Sequence, residues 1–213
     1  MQICHHYKDA SLEWAVCRFD ESFSELSAMC ADEALLAYAV ENFGSEKRRC
    51  EWLAARILVH RLVGSPVNVC YSPEGRPMLA DGSRFLSISH TANHVAVALH
   101  SKCSVGVDIE ACGTKVQRLY KRFLSAREID SLDHSNETVA MLLHWSAKES
   151  FYKIVGNQGG SYAENFSVSP FTVADSGSFS ISYNVSDRLI KRVIVNYIVE
   201  DEYVFTLCVD NEE

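Results

Sequence analysis

The chain has 213 residues, of which 47% are hydrophobic, and its formal net charge at neutral pH is −8. This length allows one large domain or two small ones, and the apolar fraction is enough for a sizeable core. The acidic balance disfavours a nucleic-acid-binding protein, because such proteins usually carry a basic surface.

Eight cysteines are scattered along the chain, and no two of them form a Cys-x-x-Cys pair. This spacing favours buried thiols in a reducing compartment over a disulfide framework or a zinc site. The first residues lack the pattern of a signal peptide, and no apolar run is long enough to cross a membrane. We therefore expect a cytoplasmic, monomeric protein that binds neither membranes nor nucleic acid.

The first half of the chain alternates helix and strand patterns. Asp20 and Asp32 are predicted N-caps of two short helices, and Ser45 is the predicted N-cap of a long helix that ends at Gly64. The predicted strands are 2–7, 13–19, 67–71, 85–90 and 95–99, and the predicted helices are 21–30, 33–42 and 46–63.

The long helix of the first half carries a quarter of all basic residues. They are Lys47, Arg48, Arg49, Arg56 and Arg61. A solvated helix face with ion pairs to nearby acids is one explanation. The other is a bound anion, because a cation in the first turn of a helix opposes the helix dipole unless an anion lies nearby.

The second half of the chain also combines predicted helices and strands. Ser125 and Asn136 are predicted N-caps, and 156–163 is a predicted flexible connection. The basic residues Arg188, Lys191 and Arg192 are predicted to lie on an edge strand, where charge discourages pairing with other chains. The predicted helices are 114–123, 125–132 and 137–155, and the predicted strands are 104–109, 165–169, 178–185, 189–199 and 203–209.

Two segments of this half combine acidic side chains in register. Asp108 and Glu110 are two residues apart on a predicted strand, so their carboxylates point to the same side. Trp145, Glu149 and Lys153 are spaced four apart on a predicted helix and share one face. A solvated Glu–Lys pair would be the plain interpretation of the helix alone. Together the two segments offer three carboxylates and a lysine, which suit a hard cation and an anionic substrate.

Four ordered motifs resemble the 4′-phosphopantetheinyl transferases of the Sfp type. Gly106-Val107-Asp108-Ile109-Glu110 is similar to that family's Gly-x-Asp-x-Glu strand, and 145–153 is similar to its Trp-Ser-x-Lys-Glu-Ser-x-x-Lys helix. Residues 85–91 resemble an Asn-Ile-Ser-His segment in which Ser87 replaces Asn, and 74–77 resemble a Gly-Lys-Pro turn.

The resemblance implies an α+β fold of two similar half-domains, related by a pseudo-twofold axis, with the active cleft between them. We place the boundary between residues 102 and 103. The N-terminal half, 1–102, would contact the nucleotide of coenzyme A, and the C-terminal half, 103–213, would hold the metal site and the catalytic helix.

The implied reaction transfers the 4′-phosphopantetheine arm of coenzyme A to a serine of an apo acyl- or peptidyl-carrier protein and releases 3′,5′-ADP. By the resemblance, Asp108, Glu110 and Glu149 bind Mg²⁺, while Asp108, Glu149 and Lys153 are catalytic. Either Glu149 or a metal-bound water would accept the serine proton. The residues implied in coenzyme A binding are Lys47, Arg56, Gly75, Arg76, Pro77, Ser89, His90, Lys148 and Lys153.

Two alternatives remain open at this point. A Mg²⁺-dependent phosphohydrolase acting on coenzyme A or a nucleotide would use the same carboxylates and lysine to direct a water. A non-catalytic binding module would share the fold, although it would be expected to lack one of the charged positions. The loop after Lys153 departs from the family's Gly-x-Gly-Leu pattern, so the identity of the carrier protein and its pathway stay open.

Overall fold

The computed structural model describes residues 1–30, 32–156, 159–186 and 188–211. It has a mixed α+β fold, as predicted, and divides into one unit from Met1 to Lys102 and a second from Cys103 onwards. The pseudo-twofold relation of the two halves stays a prediction. None of the helices in the described part of the chain combines the length and the apolar character that crossing a membrane requires.

The first unit is an antiparallel sheet of four strands, in the order β1-β2-β6-β5, with helices packed on it. The predicted elements are confirmed, with small shifts at their ends, and one additional short strand, Pro77–Leu79, was not predicted. The elements of this unit are β1 (Gln2–Lys8), β2 (Leu12–Arg18), α1 (Phe23–Met29), α2 (Glu33–Asn42), α3 (Glu46–Val63), β3 (Val69–Tyr71), β4 (Pro77–Leu79), β5 (Phe85–Thr91) and β6 (His94–His100).

Helix α3 is the central element of this unit. The Ser45 hydroxyl accepts from the amide of Arg48, and Gly64 ends the helix with a φ of 83°, a left-handed conformation that glycine adopts without a steric penalty. Leu53 and Leu58 are fully buried and pack with the apolar residues of β2 and β6. Asp32 caps α2 as predicted, but α1 is capped by Ser22 in a capping box rather than by Asp20.

The second unit is an antiparallel sheet of five strands, in the order β7-β11-β10-β9-β8, with one long helix across it. Its elements are β7 (Val105–Ala111), α4 (Ala126–Asp130), α5 (Glu137–Val155), α6 (Tyr162–Asn165), β8 (Phe166–Val168), β9 (Ser176–Val185), β10 (Arg188–Val199) and β11 (Tyr203–Val209).

Gly106 allows α5 to lie directly against β7. A Cβ atom at this position would be 1.9 Å from the main-chain oxygen of Ser150 in α5. No side chain fits in that space, so the glycine of the strand motif sets the distance between β7 and α5. The functional side chains of both elements are thereby brought to one place.

One helix prediction for the second unit is wrong. Residues 114–123 do not form an α-helix but two short 3₁₀ helices, Thr114–Arg118 and Tyr120–Arg122. Strand β10 lies between β9 and β11, but in the described residues β11 pairs with it only from Val195 to Val199. Arg188, Lys191 and Arg192 pair with β9 alone and therefore lie on an open stretch of edge, as predicted. Lys191 also forms an ion pair with Asp210.

Two further differences concern helix ends and the predicted connection. Asn136 precedes α5 but makes no side-chain cap, whereas Ser125 forms the predicted capping box with Glu128. The predicted connection 156–163 contains the start of α6, and its residues 157 and 158 lie outside the described residues.

Candidate active site

The C-terminal half of β7 and the last three turns of α5 supply the predicted acidic residues. Asp108 is buried, with 5% of its surface exposed, while Glu110 and Glu149 are partly exposed. Asp108 and Glu110 lie on the same side of β7, as the alternation of strand side chains requires.

Lys153 connects the helix to the strand. Its Nζ atom donates to the main-chain oxygen of Val107 at 2.7 Å and to Oδ1 of Asp108 at 3.1 Å. The lysine is therefore a partly buried ion-pair partner of β7. The alternative interpretation, a solvated pair with Glu149 within the helix, is wrong.

Trp145 fixes the orientation of Glu110. Its indole Nε1 donates to Oε1 of Glu110 at 2.7 Å, and its ring packs on Phe123. Burial and the charge of Asp108 raise the pKa of Glu110 to about 7, although the indole hydrogen bond acts in the opposite direction. Trp145 is thus a packing residue that also holds a carboxylate of the site.

Burial, followed by the charge of Asp108, raises the pKa of Glu149, and the nearby hydroxyl of Tyr162 offsets part of this effect. Tyr162 was not predicted as a site residue.

The donor set fits a hard divalent cation in its chemistry. Asp108, Glu110 and Glu149 offer only oxygen ligands, and the pKa values of both glutamates are raised first by burial and then by the charge of Asp108, which repels them. A cation would relieve that repulsion. As they stand in the described part of the chain, no three acidic, histidine or cysteine side chains are arranged so that they could hold a metal ion, and Mg²⁺ binding by these carboxylates stays a prediction.

Lys148 is not exposed to a substrate, although the family resemblance implies that it binds coenzyme A. The side chain is fully buried, and its Nζ atom donates to Oε2 of Glu128 at 2.8 Å and to the main-chain oxygens of Phe123 and Tyr162 at 2.6 and 3.3 Å. The predicted contact with coenzyme A is therefore wrong, because this ammonium is enclosed and already satisfied by protein groups.

Arg56 is buried as well, with 4% of its surface exposed. Its guanidinium lies 4.3 Å from the ring centre of Trp52 and donates to the hydroxyl of Tyr71. It is therefore part of the packing of the first unit, and its predicted contact with a phosphate of coenzyme A stays a prediction that this burial does not favour.

Lys47 and His90 share the buried carboxylate of Glu51. Lys47 Nζ is 3.9 Å from Oε1, while Nδ1 of His90 is 3.8 Å from Oε2, and Arg48 bonds the same oxygen at 3.0 Å. Both predicted residues are accessible to a ligand, and the three basic groups outnumber the one carboxylate. This group is therefore suited to an anion.

The remaining predicted residues lie on β5 and on the turn between β3 and β4. Gly75 has a φ of 83°, which permits the tight turn, and the amide of Arg76 donates to the hydroxyl of Ser72. Pro77 begins β4, and Ser89 is buried on β5. These residues form a hairpin and a strand face, and their role in binding coenzyme A stays a prediction.

Tyr162, Glu128 and Glu51 were not predicted from the sequence as partners of the candidate residues. Glu128 occupies the third position of a visible capping box, yet nothing in that motif indicates that it also pairs with a lysine twenty residues later. Tyr162 follows a glycine-rich stretch that predicts a loop. Glu128 and Tyr162 within the second unit, and Glu51 within the first, meet partners that are distant in the sequence only through packing.

A lysine beside clustered carboxylates at a strand–helix junction is an arrangement typical of enzymes that act on phosphoanhydrides or phosphate esters. The comparisons give the particular family. A model of the 4′-phosphopantetheinyl transferase superfamily matches residues 104–208, which include the whole of this site.

Curated relatives carry the same description. The 4′-phosphopantetheinyl transferase AcpT of Salmonella typhi is 28% identical over 144 residues, which cover 65% of this chain and 71% of the relative. The L-aminoadipate-semialdehyde dehydrogenase-phosphopantetheinyl transferase of Mus musculus is 26% identical over 147 residues, or 57% of this chain and 48% of the relative. Residues 104–208, which carry Asp108, Glu110, Glu149 and Lys153, therefore belong to the 4′-phosphopantetheinyl transferase superfamily, a family of transferases that use coenzyme A as substrate.

Proposed function

We propose that this protein transfers the 4′-phosphopantetheine arm of coenzyme A to a serine of an apo acyl- or peptidyl-carrier protein, with Mg²⁺ as the metal. The observation that carries the proposal is the junction of β7 and α5, where Lys153 and three carboxylates meet within the region matched by the family. A bound Mg²⁺ would neutralise charge on the pyrophosphate of coenzyme A.

Asp108, Glu110 and Glu149 are the residues that would hold the cation. Lys153 is already positioned by Val107 and Asp108, so its ammonium is preorganised to stabilise negative charge on the pyrophosphate. Glu149 is our choice for the group that removes the serine proton, because burial and the charge of Asp108 raise its pKa and so make its carboxylate a stronger base.

The proposed reaction exchanges one phosphorus–oxygen bond for another. The serine oxygen forms a bond to the β-phosphorus of coenzyme A, and the bond from that phosphorus to the bridging oxygen breaks. The bridging oxygen leaves with 3′,5′-ADP, and the serine proton passes to Glu149. Positioning and charge stabilisation supply the rate, since the transferred group needs no covalent bond to the protein.

The nucleotide end of coenzyme A is assigned to the first unit. His90 and Lys47, beside Glu51, are the accessible basic groups, and we propose that they contact a phosphate of the nucleotide. Ser89 and the Gly75-Arg76-Pro77 turn are proposed to complete the nucleotide contacts. We leave Arg56 and Lys148 out of this set because both side chains are buried.

The decisive experiment mixes the full chain with coenzyme A, Mg²⁺ and a panel of apo carrier proteins, followed by mass spectrometry of the carrier. Gain of one phosphopantetheine arm, dependent on the metal and on the carrier serine, is expected. An Asp108→Ala variant is the matched control, and we expect it to lose transfer.

The same mixture without a carrier protein tests the phosphohydrolase. Rapid release of 3′,5′-ADP from coenzyme A alone, with no modified carrier in the full mixture, would replace our proposal by that reaction. Binding of coenzyme A with neither outcome would indicate the non-catalytic module.

A further inference from the structure

The indole of Trp145 packs against two other aromatic rings of the second unit. Its ring centre lies 5.2 Å from that of Phe123 and 5.6 Å from that of Tyr162, with angles of 58° and 34° between the planes. The indole Nε1 atom donates to Oε1 of Glu110 at 2.7 Å. The direction of this N–H, and with it the orientation of Glu110, therefore depends on where the two neighbouring rings lie.

The buried ammonium of Lys148 binds the main chain of the same two aromatic residues. Its Nζ atom donates to the carbonyl oxygen of Phe123 at 2.6 Å and to that of Tyr162 at 3.3 Å. Phe123 precedes α4 and Tyr162 begins α6, so the two residues lie on separate segments of the chain. One side chain of α5 thus holds both residues that pack on the indole.

Glu128 keeps this ammonium in place. Lys148 is fully buried, and it also donates to Oε2 of Glu128 at 2.8 Å. The other carboxylate oxygen of Glu128 accepts from the amide of Val168 at 3.0 Å. An ammonium has three donors, and Lys148 has three acceptors within the protein. This geometry is that of a support and not of a substrate contact.

From this arrangement we propose that Lys148 is a positioning residue for the transfer reaction. It fixes the two aromatic residues beside Trp145 and thereby directs the indole N–H towards Glu110, one of the proposed metal ligands. The inference rests on the function proposed above. It gives the first lysine of the motif helix a role that needs no contact with coenzyme A.

The test removes the ammonium without leaving an unpaired buried charge. In the double variant Lys148→Met, Glu128→Gln both charges of the pair are removed, so neither partner remains as an isolated ion. The control is Lys115→Met, which makes the same change at an exposed lysine of the same unit. Melting curves set a temperature at which every variant is folded, and all comparisons are made there.

Lys148→Arg is the second variant. It keeps a positive charge beside Glu128, but a planar guanidinium cannot place its donors where the compact ammonium does. We therefore expect it to disturb the indole although the charge is preserved. It takes the place of the double variant if that protein does not fold.

The indole N–H reports on the positioning directly. The chain has three tryptophans, and loss of a signal in Trp145→Phe identifies the indole N–H resonance of Trp145 in the NMR spectrum. We expect Glu110→Ala and the double variant to shift this resonance in the same direction, because both weaken the same hydrogen bond. Lys115→Met should leave it unchanged. This readout needs neither a carrier protein nor coenzyme A.

Calorimetric titration of Mg²⁺ into the protein saturated with coenzyme A gives a second readout. We expect the double variant to bind Mg²⁺ about 10-fold more weakly, the lower end of the range for loss of a group that orients a metal ligand, while KM for coenzyme A stays near the wild-type value. Trp145→Phe should weaken Mg²⁺ binding in the wild type but have little further effect in the double variant, because both changes remove the same hydrogen bond.

The outcomes separate the two proposals. An unchanged Trp145 resonance in the double variant and in Lys148→Arg would overturn the positioning role. Full additivity of Trp145→Phe with the double variant would also overturn it, since the two changes would then act independently. Absence of transfer by the wild-type protein would reject the proposed function, whereas a shifted Trp145 resonance would still support the link from Lys148 to Glu110.

Discussion

Lys153 is the cation of the site with the most direct route to a substrate, because it is partly exposed and is held by β7. Lys153→Met keeps the aliphatic stem and removes the charge. We expect kcat to fall far more than the affinity for coenzyme A, because the ammonium acts on charge that develops as the leaving group departs. Steady-state kinetics at saturating carrier protein make the measurement.

The same variant should also lose stability, since Asp108 is buried and loses a charged hydrogen bond. The expected cost is about 1–3 kcal/mol, which urea unfolding would detect. A variant that unfolds earlier but turns over at the wild-type rate would limit Lys153 to a structural role.

Lys148 differs from Lys153 although both belong to the same motif helix. Lys148→Met leaves Glu128 buried without its counter-ion, so we expect a loss of about 3–5 kcal/mol in the free energy of unfolding. The control is Lys115→Met, an exposed lysine of the same unit, which should change little. If Lys148→Met is as stable as the control but no longer binds coenzyme A, Lys148 would be a substrate-binding residue after all.

His90 lies beside a buried carboxylate and is about one-third exposed. His90→Ala should weaken coenzyme A more than dephospho-coenzyme A, because we place the imidazole near the 3′-phosphate, where a charged hydrogen bond is strongest. Calorimetry with the two ligands gives the comparison. Equal losses would make His90 a structural partner of Glu51.

At the scale of elements, the distance between β7 and α5 depends on Gly106. Gly106→Ala would place a methyl group against the main-chain oxygen of Ser150, so the strand or the helix must move. We expect a loss of about 1–3 kcal/mol or more in stability, together with a lower transfer rate, since Asp108 and Lys153 lie across the same junction.

Gly113→Ala is the matched control for that change. A Cβ at Gly113 meets nothing within 4 Å, and its backbone is extended. Unfolding curves and transfer rates of the two variants should separate clearly. Similar behaviour of both would show that the junction tolerates a wider spacing.

The local sequence pattern was sufficient to predict that most of the helices and strands exist. The capped amphipathic run of α3 and the alternating residues of β5 depend on neighbouring residues alone, so they could be predicted. The neighbours of β10 could not, because strand order is a property of the whole sheet. Residues 114–123 satisfied a helix pattern, but their tertiary contacts favour two tighter 3₁₀ turns.

At the scale of the whole molecule, the sequence indicated which carboxylates and which lysine lie close together, but not the residues that surround them. Glu149, Asp108 and Lys153 were predictable because spacing alone places them on one face of a strand or a helix. The burial of Lys148 and Arg56 could not be predicted, because it depends on Glu128, Tyr71 and other residues that are distant in the sequence. A charged residue in a motif is ambiguous until its neighbours are known.

The distribution of charge bears on how a carrier protein approaches. The chain is acidic overall, and much of its basic charge is already used within the fold. Arg48 and Lys47 face Glu51, Arg49 donates to the main-chain oxygens of Phe43 and Val40, and Lys191 pairs with Asp210. Long-range attraction of an acidic partner is therefore weak.

We expect kcat/KM for an acidic carrier protein to rise, by a few-fold, as salt is increased from about 0.01 M to about 0.15 M, because the added ions shorten the range of repulsion from roughly 30 Å to roughly 8 Å. The value of kcat at saturating carrier should change little, since electrostatic repulsion opposes the encounter of the two proteins and not the reaction within the bound complex. Initial rates at fixed, saturating coenzyme A and Mg²⁺ make the comparison. A steep fall of kcat/KM with salt would instead indicate a local basic docking surface, and Arg188→Ser and Arg192→Ser would then be the variants that reduce it.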